Sequence, residues 1–158
     1  MLDRRQIHTV IDTLIREARI RSVSDIHITE GMPVWYRIHG CLTQARDVLK
    51  EYDIREVLLG MMNEKQRKQF EDGQDVDFAW QTTDGCRQRV NIFCEQKKIA
   101  ATIRLLNQHI PTLEELKIPT TLYQLSEEPR GIILVTGPTG SGKSTTLAAV
   151  IEAMNQKY

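Results

Sequence analysis

The sequence predicts an α+β domain followed by the beginning of an α/β domain. Alternating apolar residues mark several strands in the first two thirds of the chain, after an N-terminal stretch with helical periodicity. Near the end, a glycine-rich loop stands between an apolar run and a second stretch of helical periodicity. These observations divide the chain into a domain over residues 1–105, a linker over 106–118 and an incomplete second domain over 119–158.

Composition argues against several classes of protein. Lys and Arg total 21, and Asp and Glu also total 21, so the overall charge does not indicate nucleic acid or an acidic membrane as the main partner. No apolar stretch approaches the ~18 residues of a membrane-spanning helix. The three cysteines, Cys41, Cys86 and Cys94, lack the spacing of a zinc site or a disulfide framework, which indicates a reduced, cytosolic protein.

The elements of the first domain follow from capping residues and alternation. Asp3 and Gln6 form a capping pair, and the helix that they begin is expected to end near Arg21. Two antiparallel strands, SDIHI and VWYRIHG, come next. Asp53 and Asn63 are expected to begin two short helices. The stretches VDFAW, RQRVNIF and KKIAATIRLL then predict three consecutive antiparallel strands.

The last two of these strands have a predictable register. A turn centred on Gln96 and Lys97 makes one face of the hairpin wholly apolar, and an apolar face fixes the register of a hairpin. The opposed pairs on that face are Val90 with Ile103, Ile92 with Ala101 and Cys94 with Ile99.

The same register places two arginines opposite each other on the polar face. Arg89 is expected to face Arg104, and like charges in this position are unfavourable. An anionic group is therefore expected nearby. The alternative is a pair of solvated arginines, or arginines that form salt bridges with carboxylates such as Asp75 or Asp77.

The linker and the second domain contain one further capping signal and one phosphate-loop motif. Thr112 with Glu115 predicts a short helix. Residues 132–135 form an apolar run that is typical of a buried parallel strand. The stretch GPTGSGKS fits the pattern G-x-x-x-x-G-K-[ST] at every fixed position. The helix after it is expected to bury a face made of Leu147, Val150, Ile151 and Met154.

This motif predicts a site for a nucleotide triphosphate with Mg²⁺. Backbone amides over residues 140–144 can point at phosphate oxygens where the helix begins. Lys143 adds a positive charge for the β- and γ-phosphates, Ser144 places its hydroxyl on Mg²⁺, and Thr145 lies near the α-phosphate. The alternative is a glycine-rich turn without a ligand. The predicted binding residues are Gly137, Pro138, Thr139, Gly140, Ser141, Gly142, Lys143, Ser144 and Thr145.

The order of the motifs resembles the secretion ATPase superfamily, and within it the PilT-type motors that retract type IV pili. The resemblance rests on SDIHI, RVNIF, AATIR, PTLEEL, the phosphate loop and a G-x-P-x-x-x-R-x-x-G-x-L pattern over residues 31–42. It implies a PAS-like N-terminal domain, a linker and a RecA-like ATPase domain that binds ATP and Mg²⁺. It further implies a homo-hexamer at the cytoplasmic face of the inner membrane, docked on a pilus platform protein. By the same resemblance, Arg89 and Arg104 reach the nucleotide and join Lys143 in catalysis.

The chain departs from this family after the phosphate loop. Members of the family continue with an acidic box, a Walker B acid and a histidine box, and hydrolysis needs groups that position a water and hold magnesium. We therefore expect ATPase activity of the full-length protein, and weak ATP binding without turnover by this chain. Residues 132–135 should be exposed unless they pack on the first domain or on another chain. A pilus-assembly or type II secretion ATPase, and a non-catalytic interaction module, are the alternatives.

Overall fold

The computed structural model describes residues 2–45, 49–106, 110–119, 121–126, 128, 130–138 and 141–157. The chain divides into two compact units, Met1–Leu106 and Asn107–Tyr158. The names PAS-like and RecA-like, and the linker over 106–118, stay predictions.

Capping residues begin the three helices of the first unit. The side chain of Asp3 accepts from the Gln6 amide while the side chain of Gln6 accepts from the Asp3 amide, and Asn63 and Gln66 repeat this arrangement. Asp53 accepts from two amides of its helix. All three predicted starts are confirmed. The helices are α1 (Arg4–Ile20), α2 (Ile54–Met61) and α3 (Glu64–Glu71).

Six strands of the first unit form one antiparallel sheet in the order β3-β2-β1-β6-β5-β4. The predicted pairing of the first two strands and the predicted run of three consecutive strands are both confirmed. The central pairing of β1 with β6 joins these two groups. The strands are β1 (Val23–Thr29), β2 (Val34–Ile38), β3 (Cys41–Ala45), β4 (Val76–Gln81), β5 (Arg87–Glu95) and β6 (Lys98–Leu105).

Two hairpins of the sheet close through two-residue turns. Gln96 and Lys97 connect β5 to β6 with φ values of 49° and 67°, and the predicted register of this hairpin is confirmed at every pair. His39 and Gly40 connect β2 to β3 with φ values of 48° and 84°. Positive φ at both central residues is the geometry of the type I′ turn. The strand β3 was not predicted, because four of its five residues are exposed and give no apolar alternation.

One face of the sheet carries the hydrophobic core, and the helices pack against it. The core joins the apolar faces of α1 and α2 to the inward side chains of the strands. On β1 the inward residues are Ile26 and Ile28, so Asp25 and His27 lie on the opposite face. Residues with at most 1% exposure include Ile11, Ile15, Ile26, Ile28, Val57, Leu58, Val90, Ile92, Ile99 and Ile103.

The second unit contains a capped turn and two helices, α4 (Thr121–Ser126) and α5 (Lys143–Lys157). Thr112 and Glu115 form both predicted capping hydrogen bonds, at 2.8 and 3.1 Å. The helix predicted there is wrong, because residues 113–117 form a hydrogen-bonded turn. Lys117 has a φ of 56°, which stops helical propagation, and Pro119 follows it closely.

The buried face of α5 differs from the predicted face. Ala149 and Val150 are buried and pack in one cluster with Leu113, while Met154 is partly buried beside them. Leu147 and Ile151 are each 49% exposed, so their predicted burial is wrong. Leu116 of the turn and Leu122 of α4 also pack against this cluster, and Leu147 and Ile151 lie outside it.

The apolar run before the phosphate loop belongs to no strand among the described residues, which corrects the strand predicted for residues 132–135. Ile132 and Leu134 are 87% and 81% exposed, and Ile133 and Val135 are 49% and 36% exposed. A strand needs neighbouring strands for its backbone hydrogen bonds, and none adjoins this segment among the described residues. The exposure itself is as expected.

Chain-wide features add three observations. Cys41 and Cys94 are exposed, Cys86 is half-buried, and all three are free thiols. None of the helices in the described ranges has both the length and the apolar character that crossing a membrane requires. Within the same ranges, no cluster of three or more His, Cys, Asp or Glu side chains is arranged to hold a metal ion.

Candidate functional site: a phosphate loop and an arginine row

The phosphate loop leads directly into the N-terminus of α5. The structure describes Gly137, Pro138 and residues 141–145, whereas the predicted binding residues Thr139 and Gly140 lie outside the described part. Ser141 donates its amide to the Pro138 carbonyl at 3.2 Å, which turns the chain toward the helix.

The described glycines of the loop are required by its backbone. Gly137 has a φ of 150°, and a Cβ added there would lie 2.8 Å from Oγ of Ser141, closer than a carbon atom can approach. Gly142 has a φ of 89°, a conformation that L residues rarely adopt. A side chain at either position would distort the loop. The backbone at these two glycines is compatible with close approach of the chain to phosphate oxygens.

Lys143 folds back across the mouth of the loop. Its Nζ donates to the carbonyl oxygens of Gly137 and Pro138 at 2.8 and 2.7 Å. The lysine thus holds its positive charge against the backbone at the start of the loop. An incoming phosphate could exchange for these neutral carbonyl acceptors and gain a charge-assisted hydrogen bond.

Donors of the first turn of α5 lie beside this charge. Thr146 donates the first helical hydrogen bond, to the Gly142 carbonyl at 2.9 Å. The amides of Lys143, Ser144 and Thr145 come before it, in the first turn, where backbone amides have no hydrogen-bond acceptor within the helix. Ser144 and Thr145 are also exposed. These features fit the binding of a phosphate group at this helix N-terminus.

The predicted arginine pair lies on the open face of the sheet in the first unit. Arg89 on β5 is directly opposite Arg104 on β6, as the register predicted. On the other side of Arg104 stands Asp25 of β1, which is in turn opposite Arg37 of β2. These four residues, Arg37, Asp25, Arg104 and Arg89, cross four neighbouring strands and form the arginine row.

Carboxylates compensate the opposed charges within the described chain. Asp77 binds Arg89, with its Oδ2 at 3.0 Å from Nε and 2.7 Å from Nη2. Asp25 binds Arg104, with Oδ1 at 2.9 Å from Nε. The alternative prediction of a salt bridge to Asp77 is therefore confirmed for Arg89. Both arginines nevertheless stay largely exposed, at 65% and 62% of their side chains.

Asp25, the carboxylate of the arginine row, has contacts beyond Arg104. Its Oδ2 accepts from Oγ of Ser24 at 2.9 Å and lies 3.7 Å from Nε of Arg37. Burial by itself raises the pKa of the Asp25 carboxyl, but the hydrogen bonds from Arg104 and Ser24 and the charge of Arg104 outweigh it, so the pKa lies below 3.8. Asp25 is therefore ionised at neutral pH. Sequence reasoning missed this role, because it depends on the pairing of β1 with β6, two strands far apart in the chain.

Comparison with known proteins places the chain in a family. The Type II/IV secretion system protein family matches residues 1–158. The chain belongs to this family.

Two curated relatives and one crystal structure agree with this family. The chain is 36% identical over 150 residues to the type IV pilus retraction ATPase PilT of Pseudomonas aeruginosa, covering 94% of this chain and 44% of that protein. Its identity to the twitching motility protein of Neisseria gonorrhoeae is 37% over 147 residues, with 91% and 39% covered. The crystal structure of the pilus retraction motor PilT with bound ADP matches with a TM-score of 0.80 at 37% identity, over 92% of this chain and 43% of that chain.

The comparison confirms the predicted secretion ATPase family, and the chain spans less than half the length of these relatives. Within it, the structure brings Arg89 and Arg104 together in the unit Met1–Leu106. The described loop residues, from Gly137 to Thr145, come together in the unit Asn107–Tyr158. Among the described residues, the arginine row and the loop thus each lie within one unit.

Proposed function

We propose that this chain is the ATP-binding N-terminal part of a motor ATPase that powers retraction of type IV pili. The observation that carries the proposal is the loop: a Cβ at Gly137 would collide with Ser141, and Lys143 folds back so that its Nζ donates to the carbonyls of Gly137 and Pro138. A relative with 36% identity is a pilus retraction ATPase, and a related crystal structure contains ADP.

The residues of the loop then bind and orient the triphosphate. Amides of the first turn of α5 donate to phosphate oxygens, and Lys143 leaves the carbonyls of Gly137 and Pro138 to bind the β- and γ-phosphates. Ser144 would hold Mg²⁺, which when bound neutralises charge on the phosphates. Arg89 and Arg104 supply guanidinium groups to the nucleotide from the first unit, where their exposed side chains are free to bind an anion in addition to their carboxylates.

The working assembly follows from the family resemblance. We place the protein in a homo-hexamer at the cytoplasmic face of the inner membrane, docked on a pilus platform protein. A ring of this kind couples ATP binding and hydrolysis to movement of the arginine-bearing domain against the loop-bearing domain.

Replacement of the loop lysine tests the proposal in the gene product that carries this chain. Lys143→Ala should abolish ATP hydrolysis and twitching, because it removes the only side-chain cation among the described loop residues. The matched control is Lys157→Ala, which removes a lysine from the other end of α5 and should leave both activities intact. Normal ATP hydrolysis by the Lys143→Ala variant would refute the proposal.

The same variant separates the alternatives. Loss of a retraction motor leaves pili on the cell surface that cannot be withdrawn, so surface pilin should rise in the Lys143→Ala strain. Loss of surface pili would favour an assembly ATPase, and failure to export folded proteins would favour a type II secretion ATPase. A non-catalytic module would give wild-type behaviour for Lys143→Ala, combined with a defect on deletion of the gene.

A further inference from the structure

Two carboxylates of the open sheet face bind arginines in different ways. Asp25 is 6% exposed and contacts Arg104 through Nε. Asp77 has a side chain that is 44% exposed and contacts Arg89 through both Nε and Nη2. The two ion pairs are made of the same residue types, on adjacent parts of one sheet, so the difference lies in burial and in the nitrogens that are used.

The contact of Asp25 leaves the outer end of Arg104 available. A guanidinium group carries one donor on Nε and four on the two terminal nitrogens. The terminal nitrogens of Arg104 make no hydrogen bond to any residue that the structure describes, and the side chain is 62% exposed. Arg104 is thus held on its inner side and open on its outer side. An arginine that is held at Nε can donate its terminal nitrogens to a phosphate group.

The position of Asp25 is itself fixed by the sheet. Its backbone lies opposite Arg104 on one side and Arg37 on the other, in a central strand of the sheet. Oγ of Ser24 donates to Oδ2, and Nε of Arg37 lies 3.7 Å from the same oxygen. With two cationic neighbours and a hydroxyl donor, the carboxylate has few other orientations that satisfy it.

We propose that Asp25 is a positioning residue, which fixes Arg104 through Nε so that its terminal nitrogens are presented to a phosphate anion. This inference rests on the proposed function, in which Arg104 reaches a nucleotide. Holding the side chain before the anion arrives removes part of the entropic cost of binding, because a long side chain need not be ordered at that step. Asp77 does not do this for Arg89, since it occupies both Nε and a terminal nitrogen and is itself open to water.

The order of the arginine side chains tests the positioning directly. In the chain labelled with ¹⁵N at arginine, the heteronuclear NOE of each Nε–Hε group reports its mobility. Asp25→Asn should lower the NOE of Arg104 toward that of a solvated arginine, because the amide keeps the shape of the carboxylate but loses its charge. The matched control Asp77→Asn should leave Arg104 unchanged and mobilise Arg89. An Arg104 that stays as ordered in Asp25→Asn as in the wild type would overturn the inference.

Binding of an inorganic probe tests the consequence. Tripolyphosphate titrated into the chain and followed at the Nε–Hε resonance of Arg104 should bind about threefold to tenfold more weakly to Asp25→Asn, the change expected when one side chain must be ordered on binding. Asp77→Asn should bind the probe at least as tightly as the wild type. Equal affinities for the wild type and Asp25→Asn would contradict the positioning role.

A second variant keeps the test decisive if Asp25→Asn does not fold. Arg104→Lys places a single nitrogen where Arg104 has three, so it can pair with Asp25 or with the anion but not with both in the same way. We expect this variant to keep its unfolding midpoint and to lose the affinity for tripolyphosphate. Unchanged affinity of Arg104→Lys for tripolyphosphate would show that anion binding does not require one guanidinium to contact Asp25 and the anion together.

Failure of the proposed function remains distinguishable from failure of this inference. Mg-ATP added to the uniformly ¹⁵N-labelled chain should shift the backbone amides of Lys143, Ser144 and Thr145. Absent shifts would count against ATP binding by the loop, while the NOE comparison would still decide whether Asp25 orders Arg104. Clear shifts, combined with an Arg104 NOE that is the same in Asp25→Asn and in the wild type, would refute this inference and leave the proposed function standing.

Discussion

Asp77 on β4 holds Arg89 on β5 through two nitrogens of the guanidinium, with Oδ2 at 2.7 Å from Nη2 and 3.0 Å from Nε. The contact is diagonal, because Asp77 is directly opposite Asn91 and Arg89 is directly opposite Ala79. Both side chains are well exposed, and exposed ion pairs contribute little to stability. The carboxylate therefore relieves the repulsion between Arg89 and Arg104 but contributes little to the stability of the fold.

Replacement of Asp77 should accordingly have little effect on stability. We expect Asp77→Asn to leave the midpoint of urea unfolding unchanged within error, because water screens the pair. Asp25→Asn should lower the free energy of unfolding by about 2 kcal/mol, since it weakens hydrogen bonds between charged groups at a buried position. Urea denaturation followed by circular dichroism compares the two variants. Equal losses in both would contradict the distinction between the buried and the exposed carboxylate.

The contribution of Asp25 should depend on pH in a defined direction. Its pKa in the folded protein lies below 3.8, so the folded state favours the ionised form. The stability that this group contributes is fully present above the pKa of the unfolded state, about 3.9 for an aspartate. It is lost as the pH falls through the lower pKa of the folded state. The difference in unfolding free energy between the wild type and Asp25→Asn should therefore be constant from pH 7 to pH 5 and shrink below pH 4. A difference that grows on acidification would be inconsistent with this account.

Local signals in the sequence predicted much of the sheet and little of the second unit. Capping residues and alternation are short-range features, so the starts of α1, α2 and α3 and the Arg89–Arg104 register could be obtained without knowledge of the tertiary structure. The contact between Asp25 and Arg104 could not be predicted in this way, because it depends on which strands are neighbours in the sheet. The exposed β3 lacked an apolar pattern, although His39 and Gly40 marked the turn before it. The strand predicted over residues 132–135 was wrong. An apolar run indicates that a segment could be buried, but it does not show whether a neighbouring strand is present to pair with it.

The turn between β5 and β6 offers a stabilising substitution. Gln96 and Lys97 both have positive φ, which costs free energy for residues with a side chain, whereas Asn-Gly favours the type I′ turn. Replacing the pair by Asn-Gly should raise the free energy of unfolding by about 1 kcal/mol, a gain that the greater flexibility of glycine in the unfolded chain partly offsets. Thermal unfolding measures the change. As a control, Asn-Gly in place of Thr29 and Glu30 should destabilise, because Glu30 accepts hydrogen bonds from Ile99 and Arg55.

The backbone of the phosphate loop should tolerate no side chain at its first glycine. Gly137→Ala places a Cβ at 2.8 Å from Oγ of Ser141 in a backbone conformation that alanine rarely adopts. In the full-length protein we expect Mg-ATP binding to fall below detection in isothermal calorimetry, while the melting temperature of the first unit stays the same. Gly73→Ala is the control, because Gly73 also has a positive φ but lies after α3, away from the loop. ATP binding that survives Gly137→Ala would show that the loop does not need the shape it has in this structure.

The exposed apolar run before the loop should make the chain associate with itself. Ile132 and Leu134 are 87% and 81% exposed, and contiguous apolar surface of this kind favours contact between molecules. The double variant Ile132→Ser with Leu134→Ser should reduce the weight-average mass seen in sedimentation equilibrium, without a change in the unfolding midpoint, because neither side chain is packed in a core. The control Val150→Ser alters a buried residue of α5 and should lower the stability of the second unit instead. A double variant that associates as strongly as the wild type would assign the self-association to another surface, and a large loss of stability would mean that the segment is packed after all.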